Sequence, residues 1–259
     1  MESAGGVWNV NGDMKTLPES KLHELRMFYH KYEAMANIYD MAIELAIIDY
    51  VNPNTIWELG AASGHWSAAM QHLMTHKECH FTLVENFKEA TLYKDIGVPQ
   101  DAVELKNYLH AQFDFRPDLI IKSMDDLPSA ELKIDVLRVD CDTESKYHSL
   151  SKWILFNGSD NLIVFVDDVR PNARPDRLFM MQDLVNRGLL EFLWGGEEEA
   201  AWCSPKLKLD RKHLHSHLLS LYSDSYEKIH RSMYEWQFGV TLDYITTRSK
   251  CVPGLAVNK

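Results

Sequence analysis

Acidic residues recur at the ends of short apolar runs along this 259-residue chain. Glu58 lies in the run 55–59, and Glu85 follows 79–84. Asp125 comes just after 118–122, Asp140 and Asp142 follow 134–139, and the pair Asp167-Asp168 closes 161–166. Short apolar runs of this kind read as buried parallel strands, and ligands of open α/β sheets bind beyond the carboxyl ends of such strands. Carboxylates gathered there can accept protons from hydroxyl groups, bind a hard cation or act as bases. Asp140, Asp142, Asp167 and Asp168 would crowd like charges into one cleft, which is costly unless a cation compensates. A divalent metal is the economical compensation, and magnesium prefers a few carboxylates plus waters.

Glu58 also opens the pattern acid-x-Gly-x-x-x-Gly. Gly60 and Gly64 bracket Ala61, Ala62 and Ser63, and a helical pattern (Trp66, Ala69, Met70, Leu73) follows. Strand, glycine turn and helix is the arrangement by which an α/β sheet receives a nucleotide-like ligand. Gly60 permits the tight turn, and Gly64 is expected to let a ligand approach where a Cβ would clash. The G-x-G-x-x-G spacing that cradles a pyrophosphate is missing. An acid at the strand end suits a cationic or hydroxyl-rich group instead. Glu85 lies about twenty residues past the turn, where such folds place the carboxylate that accepts two ribose hydroxyls.

The segment from Glu58 to Gly64 resembles motif I of the class I S-adenosylmethionine-dependent methyltransferases. The resemblance implies S-adenosylmethionine as cofactor, with Glu58, Gly60, Ala61, Ser63, Gly64 and Glu85 around it and Met124, Asp125 and Asp140 completing the cofactor site. Residues 134–142 and 161–169 are similar to small-molecule O-methyltransferases of the macrocin or sugar type, which read D-x-D then D-D, and more distantly to the catechol and caffeoyl-CoA type. That likeness implies a Mg2+ site formed by Asp167 and Asp168 with one or both of Asp140 and Asp142. Residues 123–127 and 134–140 also resemble the FkbM-type methyltransferases. The chain departs from the D-x-D…D-D pattern at Cys141, where glycine is usual, at Thr143, where an aromatic residue or histidine is usual, and at 157–160, where Pro-Gly-Gly is common. The likeness covers about residues 50–190. Asp140, Lys146 and His148 are the candidates to take the proton of a hydroxyl acceptor.

The elements that would position these residues follow from periodicity. Apolar residues spaced three and four apart from Leu22 to Ala46 predict one amphipathic helix or two in series. Helices are also expected over 101–111, after Asp142, and over 171–187. Strands are expected at the runs named above, at 189–194, and at 238–244, where alternation suits a late antiparallel edge strand. The expected fold class is α/β, a Rossmann-like class I methyltransferase. It has a seven-stranded, mostly parallel sheet with one antiparallel late strand, helices on both faces and an N-terminal helical cap. The expected domains are an arm and cap over 1–50 and a methyltransferase domain over 51–259, with an insertion near 197–235 that is well placed to shape a substrate pocket.

Composition narrows the partners. A net charge of −11 repels nucleic-acid phosphate, so no nucleic acid is expected. No apolar run approaches the ~20 residues that span a bilayer, so no membrane is expected. The first residues lack a signal-peptide pattern. Four scattered cysteines without C-x-x-C spacing fit a reducing, cytoplasmic location. His213 and His217 lack the glutamate of an H-E-x-x-H zinc site, and no G-x-S-x-G elbow is present. The expected partner is a small-molecule substrate, with the N-terminal helices as a lid or homodimer element. The competing readings are a metal-independent N- or C-methyltransferase and a catalytically silent S-adenosylmethionine-binding module. A nicotinamide-dependent oxidoreductase is disfavoured by the glycine pattern.

Overall fold

The computed structural model describes residues 7–8, 14–15, 19–32, 38–75, 78–87, 94, 97–123, 126–141, 147–169, 175–195 and 199–210. Strands β1 (Val7–Trp8) and β2 (Met14–Lys15) form a small antiparallel ladder ahead of helices α1 (Glu19–Tyr32) and α2 (Ile38–Val51). The main body then runs β3 (Thr55–Leu59), α3 (His65–Leu73), β4 (His80–Glu85), α4 (Ala102–Phe113), β5 (Asp118–Ile121) and β6 (Ile134–Val139). It continues with α5 (Tyr147–Asn157), β7 (Gly158–Val166), α6 (Pro175–Asn186), β8 (Glu191–Gly195) and β9 (Ala200–Cys203). Seven strands form one sheet in the order β5-β4-β3-β6-β7-β9-β8. Strand β9 is antiparallel to both its neighbours, and the other pairs are parallel.

Each inner strand is covered on both faces, which explains its continuous apolar sequence. Ile56, Leu83, Val136 and Phe165 pack on one face with α1 to α4 through Leu25, Ile47, Trp66 and Leu105. Trp57, Leu137, Val164 and Val166 pack on the other with α5 and α6 through Leu150, Ile154, Leu178 and Met181. The alternation fixes where the charged residues of these strands go. Glu58 shares the parity of Ile56, and Arg138 that of Val136, and the two are paired across β3 and β6. Asp167 and Glu199 follow the parity of Phe165 and Ala201. By the period of two, all four fall on the side of α2 and α3.

Local signals place the helix boundaries. Asp101 caps α4 by accepting from the amides of Val103 (2.8 Å) and Glu104 (2.9 Å), while Glu104 returns to the amide of Gln100. This is a capping-box exchange shifted by one residue. The helix ends at Asp114 in the left-handed conformation, φ 49°.

Two expectations change. The strand that closes the sheet is Ala200–Cys203, inside the stretch that the sequence reading assigned to an insertion; residues 238–244 lie outside the described set. Ala200–Cys203 is buried throughout, so it carries no alternation to mark it as a strand. Second, the N-terminal pattern resolves into two helices, and α2 is not amphipathic. Residues 40–48 are all buried, because α2 is enclosed rather than laid on a surface. The described part of α5 begins at Tyr147; residues 142–146, where the sequence places the start of this helix, lie outside the described set.

Candidate active site

The carboxyl edge of β3 and β4 is built from backbone groups. Gly60 (φ 84°) donates its amide to the Val84 carbonyl at 2.9 Å, and Gly64 (φ 69°) caps α3. A Cβ at Gly60 would sit 2.0 Å from the Asp140 carbonyl oxygen, so glycine is what lets the ends of β3 and β6 meet. The expectation for Gly64 is corrected. It is buried, and a Cβ there would meet Leu109 and Leu83 side chains at 3.0–3.3 Å, so it makes room for α4 and β4 rather than for a ligand. Between the glycines, Ala61 is buried, Ala62 is exposed and Ser63 is half-buried.

Glu85 leans over this bend. One carboxylate oxygen accepts from the amide of Ala62 at 2.8 Å. The other accepts from the amides of Asn86 (2.8 Å) and Phe87 (3.0 Å). Three amides hold the half-buried carboxylate in place, and the oxygen that bonds Ala62 has a lone pair left over for a hydroxyl donor. Ala62 (φ 47°), Phe87 (φ 56°) and Asp168 (φ 55°) adopt left-handed backbone at the ends of β3, β4 and β7. Strained non-glycine residues gather at functional sites because their strain must be held by surrounding structure.

The carboxyl edge of β6, β7 and β9 is built differently, around one buried cation. The Arg138 side chain is 3% exposed and ion-pairs with four carboxylates: Asp140 at 2.8 Å, Glu199 at 2.8 Å, Glu58 at 3.1 Å and Asp167 at 3.4 Å. Its guanidinium carbon lies 5.4 Å from the centre of the Trp66 ring. Ser67 donates to the second oxygen of Glu58 at 2.6 Å. The assignment of Glu58 to the cofactor is therefore corrected. It is 1% exposed with both oxygens committed, and it works beneath the cleft as a partner of Arg138. Burial raises its carboxyl to about 7, against the opposing pull of Arg138 and Ser67.

Helix α2 adds Asp40 and Glu44 to this floor, both fully buried. Glu44 accepts from the Trp66 indole at 2.7 Å. Burial, together with the neighbouring Glu199, raises its pKa well above the usual value. Arg177 of α6 donates to the carbonyls of Asp167 and Cys141, tying the loops after β6 and β7 together.

Above the cation, Asp140 and Asp167 open toward the cleft, with side chains 31% and 17% exposed. Burial and the neighbouring Asp140 push Asp167 up to about 9, partly offset by Arg138. Burial opposes ionisation of Asp140 as well, but Arg138, the hydrogen bond with Asp167 and Arg177 outweigh it and lower its pKa. These surroundings favour a proton on Asp167 over one on Asp140. Asp168 is exposed, and its amide donates to Asp167 at 2.8 Å.

Asp140, Asp167 and Asp168 each offer a carboxylate oxygen within 4.8 Å of the others, a spacing that one divalent ion can bridge. These are three of the four residues expected from the sequence to bind metal, and they fit such an ion. The fourth, Asp142, lies outside the described residues, as do Lys146, Met124 and Asp125. The backbone of His148 is in the first turn of α5, and its side chain lies outside the described set.

Arg138, Glu44, Glu199 and Asp40 were not expected as site residues. A signal existed for the first: a lone arginine inside a buried strand must be paired. Asp40 and Glu44, four apart in an apolar stretch, mark one face of α2. Glu199 sits among three neighbouring acids or turn residues and reads as a solvated loop.

No family model and no curated protein matches this chain. Solved structures do. The S-adenosylhomocysteine-bound methyltransferase PaMTH1 of Podospora anserina matches with a TM-score of 0.50 and 14% identity, covering 72% of this chain and 86% of that one. A Staphylococcus aureus protein assigned as a caffeoyl-CoA O-methyltransferase also matches with a TM-score of 0.50 and 14% identity, covering 71% and 91%. With the sheet order above, these matches show that the chain has the class I methyltransferase fold.

Proposed function

We propose that this chain is an S-adenosylmethionine-dependent methyltransferase that acts on a hydroxyl group of a small molecule. The observation that supports it most is the division of one sheet edge into two halves. The Gly60–Gly64 bend with Glu85 suits a ribose-bearing cofactor, and Asp140, Asp167 and Asp168 lie across β6 and β7 where an acceptor would be handled. The fold and the structures it resembles agree with this reading.

When bound, the sulfonium supplies an activated methyl group, and a Mg2+ ion held by Asp140, Asp167 and Asp168 would lower the pKa of a hydroxyl on it. The chain's own residues do the rest. Glu85 accepts a ribose hydroxyl on the oxygen that bonds Ala62 and so fixes the cofactor along the bend. Oxygen–carbon bond formation and carbon–sulfur bond cleavage are in line, so the principal demand on the protein is alignment and exclusion of water. Asp140, kept ionised by Arg138, takes the proton released by the acceptor oxygen. Asp167, whose surroundings favour its protonated form, orients Asp140 when no ion is present and would give up that proton to hold one.

The test is transfer of a labelled methyl group from S-adenosylmethionine to a panel of catechols and sugar hydroxyls, by the wild type and Asp167→Ala. Transfer by the wild type is expected, with a loss of roughly 100-fold in the variant and unchanged cofactor affinity. Undiminished transfer by Asp167→Ala would refute the role given to the acidic half.

A further inference from the structure

The position of Arg138 bears on what the acidic half of the site binds, and the inference rests on the methyltransferase reading above. We propose that Arg138 is a resident cation of the acceptor site: it supplies from within the fold part of the charge compensation that a divalent ion would bring, so any such ion is weakly held and exchangeable.

The geometry gives three reasons. First, Arg138 reaches the very carboxylates an ion would use: Asp140 at 2.8 Å and Asp167 at 3.4 Å each give it an oxygen. Two of the three acidic side chains that converge there thus already have an oxygen against a cation. Second, the guanidinium cannot leave. The two nitrogens that reach Asp140 and Asp167 are also anchored by the buried Glu58 at 3.1 Å and Glu199 at 2.8 Å, and the Trp66 ring packs beside the guanidinium. Third, it cannot be discharged, because an arginine side chain does not lose its proton in proteins. An incoming dication therefore meets a fixed positive charge a few ångströms below its ligands. Like charges at that separation, partly shielded from water, repel strongly enough to change affinity by orders of magnitude.

A test uses Mn2+, a paramagnetic stand-in for Mg2+, titrated into the wild type, Arg138→Met and Arg138→Lys. Free Mn2+ is read by electron paramagnetic resonance, and S-adenosylhomocysteine binding is measured on the same preparations by calorimetry. The wild type is expected to half-saturate only in the millimolar range. Arg138→Met should bind Mn2+ about tenfold more tightly or better, and Arg138→Lys, which keeps the charge, should stay within about threefold of the wild type. Micromolar binding of Mn2+ by the wild type would overturn the proposal, and that arm stands even if Arg138→Met does not fold. So would an Arg138→Met protein that binds S-adenosylhomocysteine normally yet gains no Mn2+ affinity. Failure of the wild type to bind S-adenosylhomocysteine would instead bring down the methyltransferase reading.

Discussion

The two halves of the carboxyl edge solve the same problem by opposite means. At β3 and β4 the ligand-facing group is a single carboxylate held by backbone amides: Glu85 takes those of Ala62, Asn86 and Phe87. At β6, β7 and β9 the facing carboxylates are held by a side chain, the Arg138 guanidinium, which is itself anchored by acids from other elements. The first arrangement depends on local chain geometry. The second depends on residues far apart in sequence that come together only when the sheet forms. The first half should therefore be sensitive to backbone changes, and the second to charge and pH.

The largest effect should come from Gly60→Ala. The added methyl meets a backbone oxygen at 2.0 Å, and φ is 84°, so neither neighbour can yield cheaply. A loss of at least about 3 kcal/mol is expected in chemical denaturation, or no folded protein at all. A mild loss would mean that the two halves are not joined at this point.

A comparable effect, but one that depends on pH, is expected from Glu58. Its carboxyl is raised from the ordinary 4.5 to about 7 by burial, in spite of Arg138. The unfolded chain therefore releases this proton at lower pH than the native one. The stabilising contribution is full below about 4.5 and falls as pH rises to about 7. The shift corresponds to about 3 kcal/mol across that window. Asp167, also raised, acts in the same direction to higher pH. Urea midpoints should fall over this range, and Glu58→Gln should flatten the slope. An unchanged slope would show that Glu58 does not titrate as a buried partner of Arg138.

The smallest effect serves as the control. Asp101→Ala removes the α4 cap, distant in sequence from both halves, and should cost about 1 kcal/mol. Ligand affinity should not change. A large change in affinity would mean that α4 is coupled to the glycine bend through the Gly64–Leu109 contact.

How much was legible beforehand follows the same division. The β3 turn, Glu85, and strands β4 to β7 are written in contiguous sequence, as apolar runs, glycines and terminal acids. The aspartates after β6 and β7 were legible for the same reason, and Asp140, Asp167 and Asp168 do converge. The cation that compensates them was not legible as such. The crowding of acids pointed to a cation, but its nearest source is Arg138, whose partners Glu58 and Glu199 are 80 and 61 residues away. Only strand register brings them together. Strand β9 was missed because Ala200–Cys203 is short and buried on both faces, without a period to read. Gly64 was misread because a left-handed glycine at a helix start looks the same whether it makes room for a ligand or for Leu109.

The central claim is that Glu85 and the Gly60–Gly64 bend seat an S-adenosyl nucleoside. Calorimetric titration of S-adenosylhomocysteine into the wild type and Glu85→Ala tests it most directly. Micromolar binding by the wild type is predicted, weakened by about 10- to 100-fold in the variant as the hydroxyl contact and the carboxylate that braces the bend are lost. No measurable binding by the wild type, or equal binding by the two proteins, would contradict it.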